Sequence, residues 1–425
     1  MLSAASSKDW ELSMTLSHSD SDCVRARVRE DARAREHFLA AIVQCPSDNP
    51  PGDCAAIAKR TAGLLQDLGF EVERHAVPSD LVAEHGMVAV TNLVVRRRFG
   101  DGPVIALNAN GDVVPPGEGW AFAPYGAEVV DSFMYGRGVA VSKSDFATYA
   151  FALRAIEPIA ASLRGTVELH FTFDEEAGGL LGPAWLLAEG MSRPDLCISA
   201  GLSYGIVTAH NGVLHLEVET RGRSAHAAAP ETGADALEAM TNVLAALYAE
   251  RELYRAIVSQ IVGIGSPQLT VGLVSGGINT NVVPDRVTIR LDRRVIPDED
   301  PEAVEVRLGE VVAGAVAGRD GISAAVRRIL LVRPLVRLPG ADRLIEILSR
   351  RATETFGTAI GPTGVPLYTD ARLYAEAEVP TVGYGAGPRS FLEANGHRAD
   401  ERLSLDDLAR ATETVALTLG DLLTD

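Results

Sequence analysis

Apolar and polar positions follow two rhythms along this chain, one of period two and one close to 3.6. Residues 1 to about 28 are polar, weakly patterned, and read as a loose lead-in. Helical spacing follows over 29–44 and breaks at Cys45-Pro46-Ser47-Asp48-Asn49-Pro50-Pro51-Gly52. Asp53 is placed to cap a second helix reaching Leu68, with Gly69 as its stop. Strand patterns then occupy 70–75, 92–97 and 104–107, and 108–116 reads as the loop after the last of these. A helix over 143–155, a strand over 166–173, a helix over 180–189 and a strand over 196–199 complete the first stretch.

From Val213 the character changes. Strands are expected at 214–220, 269–274, 286–293 and 322–328, with helices at 233–247 and 301–315. Two strands flanking each helix make a small α+β sandwich of ferredoxin-like type, inserted as one block. Alternation resumes with a helix at 342–355, a strand at 381–383 and a helix at 405–419. The expected fold is α/β, a mostly parallel sheet covered on both faces. Its first part spans 1–212, the insertion 213–330, and its second part 331–425.

At 425 residues two domains are the default, and 47% apolar residues supply their cores. No run is long and apolar enough for a membrane span, and the start lacks a secretory pattern. Cys23, Cys45, Cys54 and Cys197 have neither metal nor disulfide spacing, which suits a reducing cytoplasm. A formal net charge of −18 argues against nucleic-acid and anionic-membrane partners. It leaves room for a small anionic substrate held by local arginines.

The chemistry concentrates at strand ends, where ligands of such folds collect. Asp174-Glu175-Glu176 follows the strand at 166–173, and other polar clusters lie at 108–112 and 200–205. Three consecutive carboxylates repel one another and are costly to bury. Such a cluster calls for a nearby cation, or for one member to serve as a base; otherwise it is an acidic surface turn.

Several segments, in their order and spacing, resemble the M20 family of zinc-dependent peptidases and amidohydrolases. They are Gly111-Asp112-Val113-Val114-Pro115, Tyr135-Gly136-Arg137-Gly138, Asp174-Glu175-Glu176, Gly222 with His226 and Pro230, and Gly277 through Asn281 to Pro284. Asp292 with Arg294, Thr369-Asp370-Ala371-Arg372, and His397 with Glu401 complete the set. The resemblance implies two ions bridged by a carboxylate, with the first glutamate of the pair, Glu175, as general base. It implies Glu176 and His397 as ligands of one ion. The other ion's donors fall on Asn110, Val141 and Ala200, where the family has a histidine and two carboxylates. Valine and alanine cannot ligate, and an amide ligates far more weakly than imidazole. Asn110, Asp112, Asp145 or Ser142 remain as candidate extra donors.

The resemblance further implies that His226 stabilises the oxyanion in a partner subunit's site, and that Asn281 and Arg294 bind substrate carboxylate or transition-state oxygen. The insertion then acts as a dimerisation and lid domain, and the protein is at least a homodimer. Arg137 and Arg372 are expected to be structural, paired with acids such as Asp370. One labile divalent ion per chain is expected, manganese, zinc, cobalt or iron, completed by a chelating amino-carboxylate substrate. The leading expectation is hydrolytic deamination of 5-nitroanthranilate to 5-nitrosalicylate, whose nitro group accepts the charge formed when water adds to the ring. Phe133, Phe146, Trp120 and Tyr204 are candidate walls of a flat pocket. The alternatives are hydrolysis of N-acyl amino acids or short peptides, and a non-catalytic binding protein of the same fold.

Overall fold

Apolar runs with little alternation build the centre of the main sheet, because their strands are covered on both faces. A computed structural model describes residues 15–390 and 392–424. In it Thr166–Thr172, Val104–Asn110, Leu196–Ser199 and Thr381–Gly383 lie side by side and parallel. Thr91–Arg98 joins Thr166–Thr172 antiparallel, and Glu73–Ala76 forms the edge beyond it. On the other side Thr381–Gly383 meets Ile206–His210 antiparallel, and Pro362–Val365 follows. The sheet is thus mixed: a parallel centre with antiparallel flanks.

The chain forms two compact units. One comprises Met1–Val207, Arg337–Pro362 and Leu373–Asp425; the other comprises Thr208–Val336 and Thr363–Arg372. In the first, the helix Lys143–Ile156 is buried along nearly its whole length, and Phe146 stacks on Phe171 with ring centroids 4.1 Å apart. In the second, Gly212–Arg221, Gln268–Gly276, Arg286–Val295 and Ser323–Val332 form an antiparallel sheet. The order is second, third, first, fourth, which is the ferredoxin-like arrangement. Leu214, Leu216 and Val218 turn into its core with Val287, Ile289 and Leu291. The opposite face is a charge ladder in which Glu217 meets Arg290 and Arg327 while Glu219 meets Arg221 and Arg286.

Three local expectations change. Within the described residues the lead-in is helical from His18–Glu30, its first turn capped by the Ser17 hydroxyl accepting from the Asp20 amide; residues 1–14 of that lead-in lie outside the described residues. Only Ser21, Val24 and Val28 of this helix are buried, a stripe too narrow to stand out among its charges. The strand expected to stop at 107 continues to Asn110, because Asn108 finds partners inside the sheet: its amide donates to the His170 carbonyl and its oxygen accepts from Ser199. The helix expected over 180–189 shortens to Pro183–Ala188, since the Asp174 carboxylate takes the Leu181 amide and holds the chain in a turn.

Asp421, in the last helix Leu405–Leu423, pairs in a fork with Arg351 of Asp342–Phe356 at 2.7 Å and 2.7 Å. It also accepts from Arg350 and from the Leu16 amide. Asp421→Ala would strand two guanidinium groups and one amide around a buried gap, so it should cost about 3–5 kcal/mol, read from urea unfolding midpoints at an unchanged slope.

Candidate active site

The carboxyl end of the parallel centre gathers the residues of interest in the first unit. Beyond Thr166–Thr172 the chain turns through the single 3-10 turn Glu175–Ala177 and exits at Gly178, whose φ of 105° suits glycine. The Asp174 carbonyl accepts from the amides of Ala177 and Gly179. Asp112, wholly buried after Val104–Asn110, steadies this turn by accepting four N–H donors. Its Oδ1 takes the Glu175 amide at 3.2 Å and the Asn110 side-chain amide at 3.3 Å. Its Oδ2 takes the Glu176 amide at 3.0 Å and the Asn49 side-chain amide at 3.0 Å.

Glu176 and His397 come together from distant parts of the chain, with Oε1 and Nε2 3.6 Å apart. Burial, then the charges of Asp112 and Glu401, push the Glu176 carboxyl up to about 8. Burial and the nearby Arg137 push the His397 imidazole below its ordinary range. The environment thus favours the neutral form of both groups, and Glu176 must give up its proton to act as a ligand. His397 has a left-handed φ of 60°, and its neighbours Asn395 and Asp400 share that region.

The other candidate donors have different partners. Asn110 accepts from the Ser142 hydroxyl at 2.7 Å through its amide oxygen, and its amide nitrogen faces Asp112. Asp112 is saturated as described. Asp145 sits in the first turn of its helix and accepts from the Ala386 amide at 2.6 Å and the Gly201 amide at 3.3 Å. Its burial raises it to about 7. The expectation that Asn110, Asp112 or Asp145 supplies a third ligand thus meets groups already tied into hydrogen bonds. Val141 and Ala200 are partly buried apolar side chains. No group of three or more His, Cys, Asp or Glu residues able to hold a metal occurs among the described residues. A two-ion centre does not fit this donor set, whereas one ion at Glu176 and His397 has two donors in place.

Arg137 is structural, as expected, but its partner is Glu401 and not an acid near Asp370. The two pair at 2.6 Å, both fully buried. Glu401 also accepts from the amides of Ala140 and Val141 at 3.1 Å each, so the loop through 136–141 is wrapped around one carboxylate. Lys143, fully buried, donates to the Cys45 carbonyl at 3.0 Å, and burial lowers it to about 8. Of the expected pocket walls, Phe146 is core beneath Gly111, where a Cβ would lie 2.9 Å from its ring. Tyr204 packs on Phe356 and donates to Asp407, which makes it a brace between helices. Arg402 lies over the Phe133 ring, and Trp120 lies under Arg137 and donates to the Pro116 carbonyl.

In the second unit the turns carrying His226 and Asn281 are zipped together. His226 bridges Val282, and the Ala227 amide donates to the Asn281 carbonyl at 3.0 Å. Both residues are exposed. Gly222 allows the first turn, since a Cβ there would meet the Ala234 carbonyl oxygen at 2.0 Å. Arg294 is not part of this cluster. Arg286 pairs with Arg221 at the end of the strand from which the two turns emerge, and Arg294 pairs with Val213 at the other. Eight residues of strand put Arg294 roughly 26 Å away. It donates to Asp292, which also contacts His215. Asn49 and Glu401 are the working groups sequence reasoning undervalued. Asn49 sits in a Pro-rich break that reads only as the end of a helix, and no periodic signal marks it.

The profile of Peptidase family M20/M25/M40 matches residues 106–421. A succinyl-diaminopimelate desuccinylase of Gluconacetobacter diazotrophicus is 31% identical over 407 residues, covering 90% of this chain and 95% of that protein. The fold is that of aminopeptidase PepT from Bacillus cereus, with a TM-score of 0.70 and 24% identity over 94% of this chain and 98% of the other. It is also that of Bacillus subtilis YXEP, described as a dinuclear metal-binding peptidase, with a TM-score of 0.68 and 17% identity over 93% and 99% of the two chains.

The raised Glu176 carboxyl has a consequence for stability. The folded chain holds that proton more tightly than the unfolded one, so this group's contribution is present below pH ~4.5 and is lost as pH rises through about 8. Metal-free Glu176→Gln should therefore melt about 2–6 °C above the parent at pH 8.5, with the gap closing toward pH 5 in differential scanning calorimetry.

Proposed function

The chain belongs to peptidase family M20/M25/M40 and is one of its metal-dependent hydrolases, and on that premise we propose that it hydrolyses the amide C–N bond of a small N-acylated amino acid or short peptide. The observation that carries this reading is the meeting of Glu176 and His397 directly after Glu175. Glu176 and His397 would hold a single divalent ion (manganese, zinc, cobalt or iron), and a substrate with a carboxylate beside its amide would complete the site. A bound ion supplies polarisation of the carbonyl and a more acidic water. Glu175 takes the proton of the attacking water and returns it to the leaving nitrogen. Asp112 holds the amides of Glu175 and Glu176 and so fixes where both carboxylates begin. The outer-ion positions are Asn110, Val141 and Ala200, so in the proposed dimer the oxyanion leans more on His226 of the partner subunit.

That missing donor set is also the one observation favouring a second reading, hydrolytic deamination of 5-nitroanthranilate, where an activated ring replaces the second ion. The desuccinylase and peptidase names of the relatives weight the choice toward the amide. Titration of the metal-stripped protein with manganese, zinc, cobalt and iron(II) should restore release of amine from N-succinyl or N-acetyl amino acids at one ion per chain. Glu175→Gln should lower kcat by about 10²–10⁴. Turnover confined to 5-nitroanthranilate would transfer the assignment to the second reading, and full activity of Glu175→Gln would remove the base.

The second unit supports a homodimer. The edge strand Gln268–Gly276 exposes Leu273 and Val274, and the helix Ala236–Leu253 exposes Leu237 and Tyr248. Unpaired strand edges with apolar side chains are ready partners for a second copy. No helix among the described residues is long and apolar enough to cross a membrane. Val274→Glu should convert the dimer to monomer in sedimentation velocity and lose turnover with it, because His226 and Asn281 would no longer reach a partner's substrate.

A further inference from the structure

Asp112 is the hub through which the Glu175 and Glu176 amides are held, and what holds Asp112 itself is a pair of neutral side chains. We propose that Asn49 is a positioning residue for the Glu175–Ala177 turn, acting through Asp112; the inference rests on Glu175 and Glu176 being the working carboxylates.

The Asn49 side chain is nine-tenths buried and donates to Asp112 Oδ2 at 3.0 Å, the same oxygen that takes the Glu176 amide. Its backbone leaves it little freedom. The Asn49 amide donates to the Val113 carbonyl at 2.8 Å, and the Val113 amide donates to the Ser47 carbonyl at 3.0 Å. The Ser47 hydroxyl donates to the Gly111 carbonyl at 2.7 Å. Residues 47–49 and 111–113 are thus laced together on either side of Asp112. The far side of the Asn49 side chain is closed as well: a Cβ at Gly52 would lie 3.1 Å from its Oδ1 and 2.8 Å from Met87. The other oxygen of Asp112 is reached by Asn110, which Ser142 fixes from behind. Each oxygen therefore takes one side-chain amide and one backbone amide, and none of the four donors is charged.

That choice of donor matters chemically. A lysine or arginine at position 49 would also satisfy Asp112, but would place a positive charge one residue from Glu176 and compete for its carboxylate. A neutral amide supplies the hydrogen bond alone. Within this arrangement Asn110 stands where the family resemblance implies a donor to an outer ion. The arrangement ties residues 47–49, 111–113 and 174–176 together through side-chain and backbone groups of this chain.

Four variants test the proposal: Asn49→Ala, which removes the donor; Asn49→Asp, which keeps the size but turns an acceptor toward the carboxylate; and Asp112→Ala with and without Asn49→Ala. Amide hydrogen exchange of the metal-free protein, read in the peptide over 172–181, should accelerate at least tenfold in Asn49→Ala and further in Asn49→Asp. In the Asp112→Ala background Asn49→Ala should add nothing, because its effect passes through that carboxylate. With an N-acyl amino acid as substrate, kcat should fall at least tenfold while KM stays within threefold. Unchanged exchange over 172–181, or additive effects of the two alanine substitutions, overturns the proposal. Accelerated exchange in a protein that turns over no acyl amino acid leaves Asn49 holding the turn and removes the amidohydrolase reading instead.

Discussion

The carboxyl end of the parallel sheet has to bury several carboxylates within one small region, and the cost of removing them from water shapes everything around them. Asp112, Asp145, Glu176 and Glu401 are all pushed upward, and burial is the leading cause for each. The fold answers each one differently. Asp112 is solvated by four amides, Asp145 by two loop amides, and Glu401 by Arg137 and two amides. Glu176 alone has its cost left largely unmet, with one backbone donor from Val114 and a neutral imidazole beside it. A group left uncompensated in a well-compensated neighbourhood marks a candidate functional site.

Much of the fold was legible because its signals are periodic. The parallel centre announced itself as apolar runs, and the inserted sheet as alternation at 214–220 and 286–293, with Leu216 and Ile289 inward and Glu217 and Arg290 outward. The helix at His18–Glu30 was not legible, since three buried positions among charges do not make a stripe. Asn108 reads as a loop residue because asparagine disfavours strands, and the bonds that keep it in one come from residues 62 and 91 positions away.

The site divides in the same way. The Glu175-Glu176 pair and His397 were singled out through the family resemblance, and the structure brings Glu176 and His397 together. How Asp112 works was not readable, because a carboxylate in a motif looks alike whether it faces an ion or four amides. The partner of Arg137 escaped for a related reason: its acid lies 264 residues away, where sequence proximity carries no information. That Asn110, Val141 and Ala200 stand where the resemblance implies donors was plain in the sequence, but the Ser142 hydroxyl that occupies the amide oxygen of Asn110 needed coordinates.

The position of Arg294, at the far end of the same strand from the paired turns of His226 and Asn281, sets a limit on what one copy can do. A dipeptide or acyl amino acid is well under half that strand's length, so no single molecule of it touches both ends. If both ends read substrate, they read different molecules, and each chain contributes to two reaction centres at once. In the proposed homodimer, two differently damaged chains would then lend each other what each lacks.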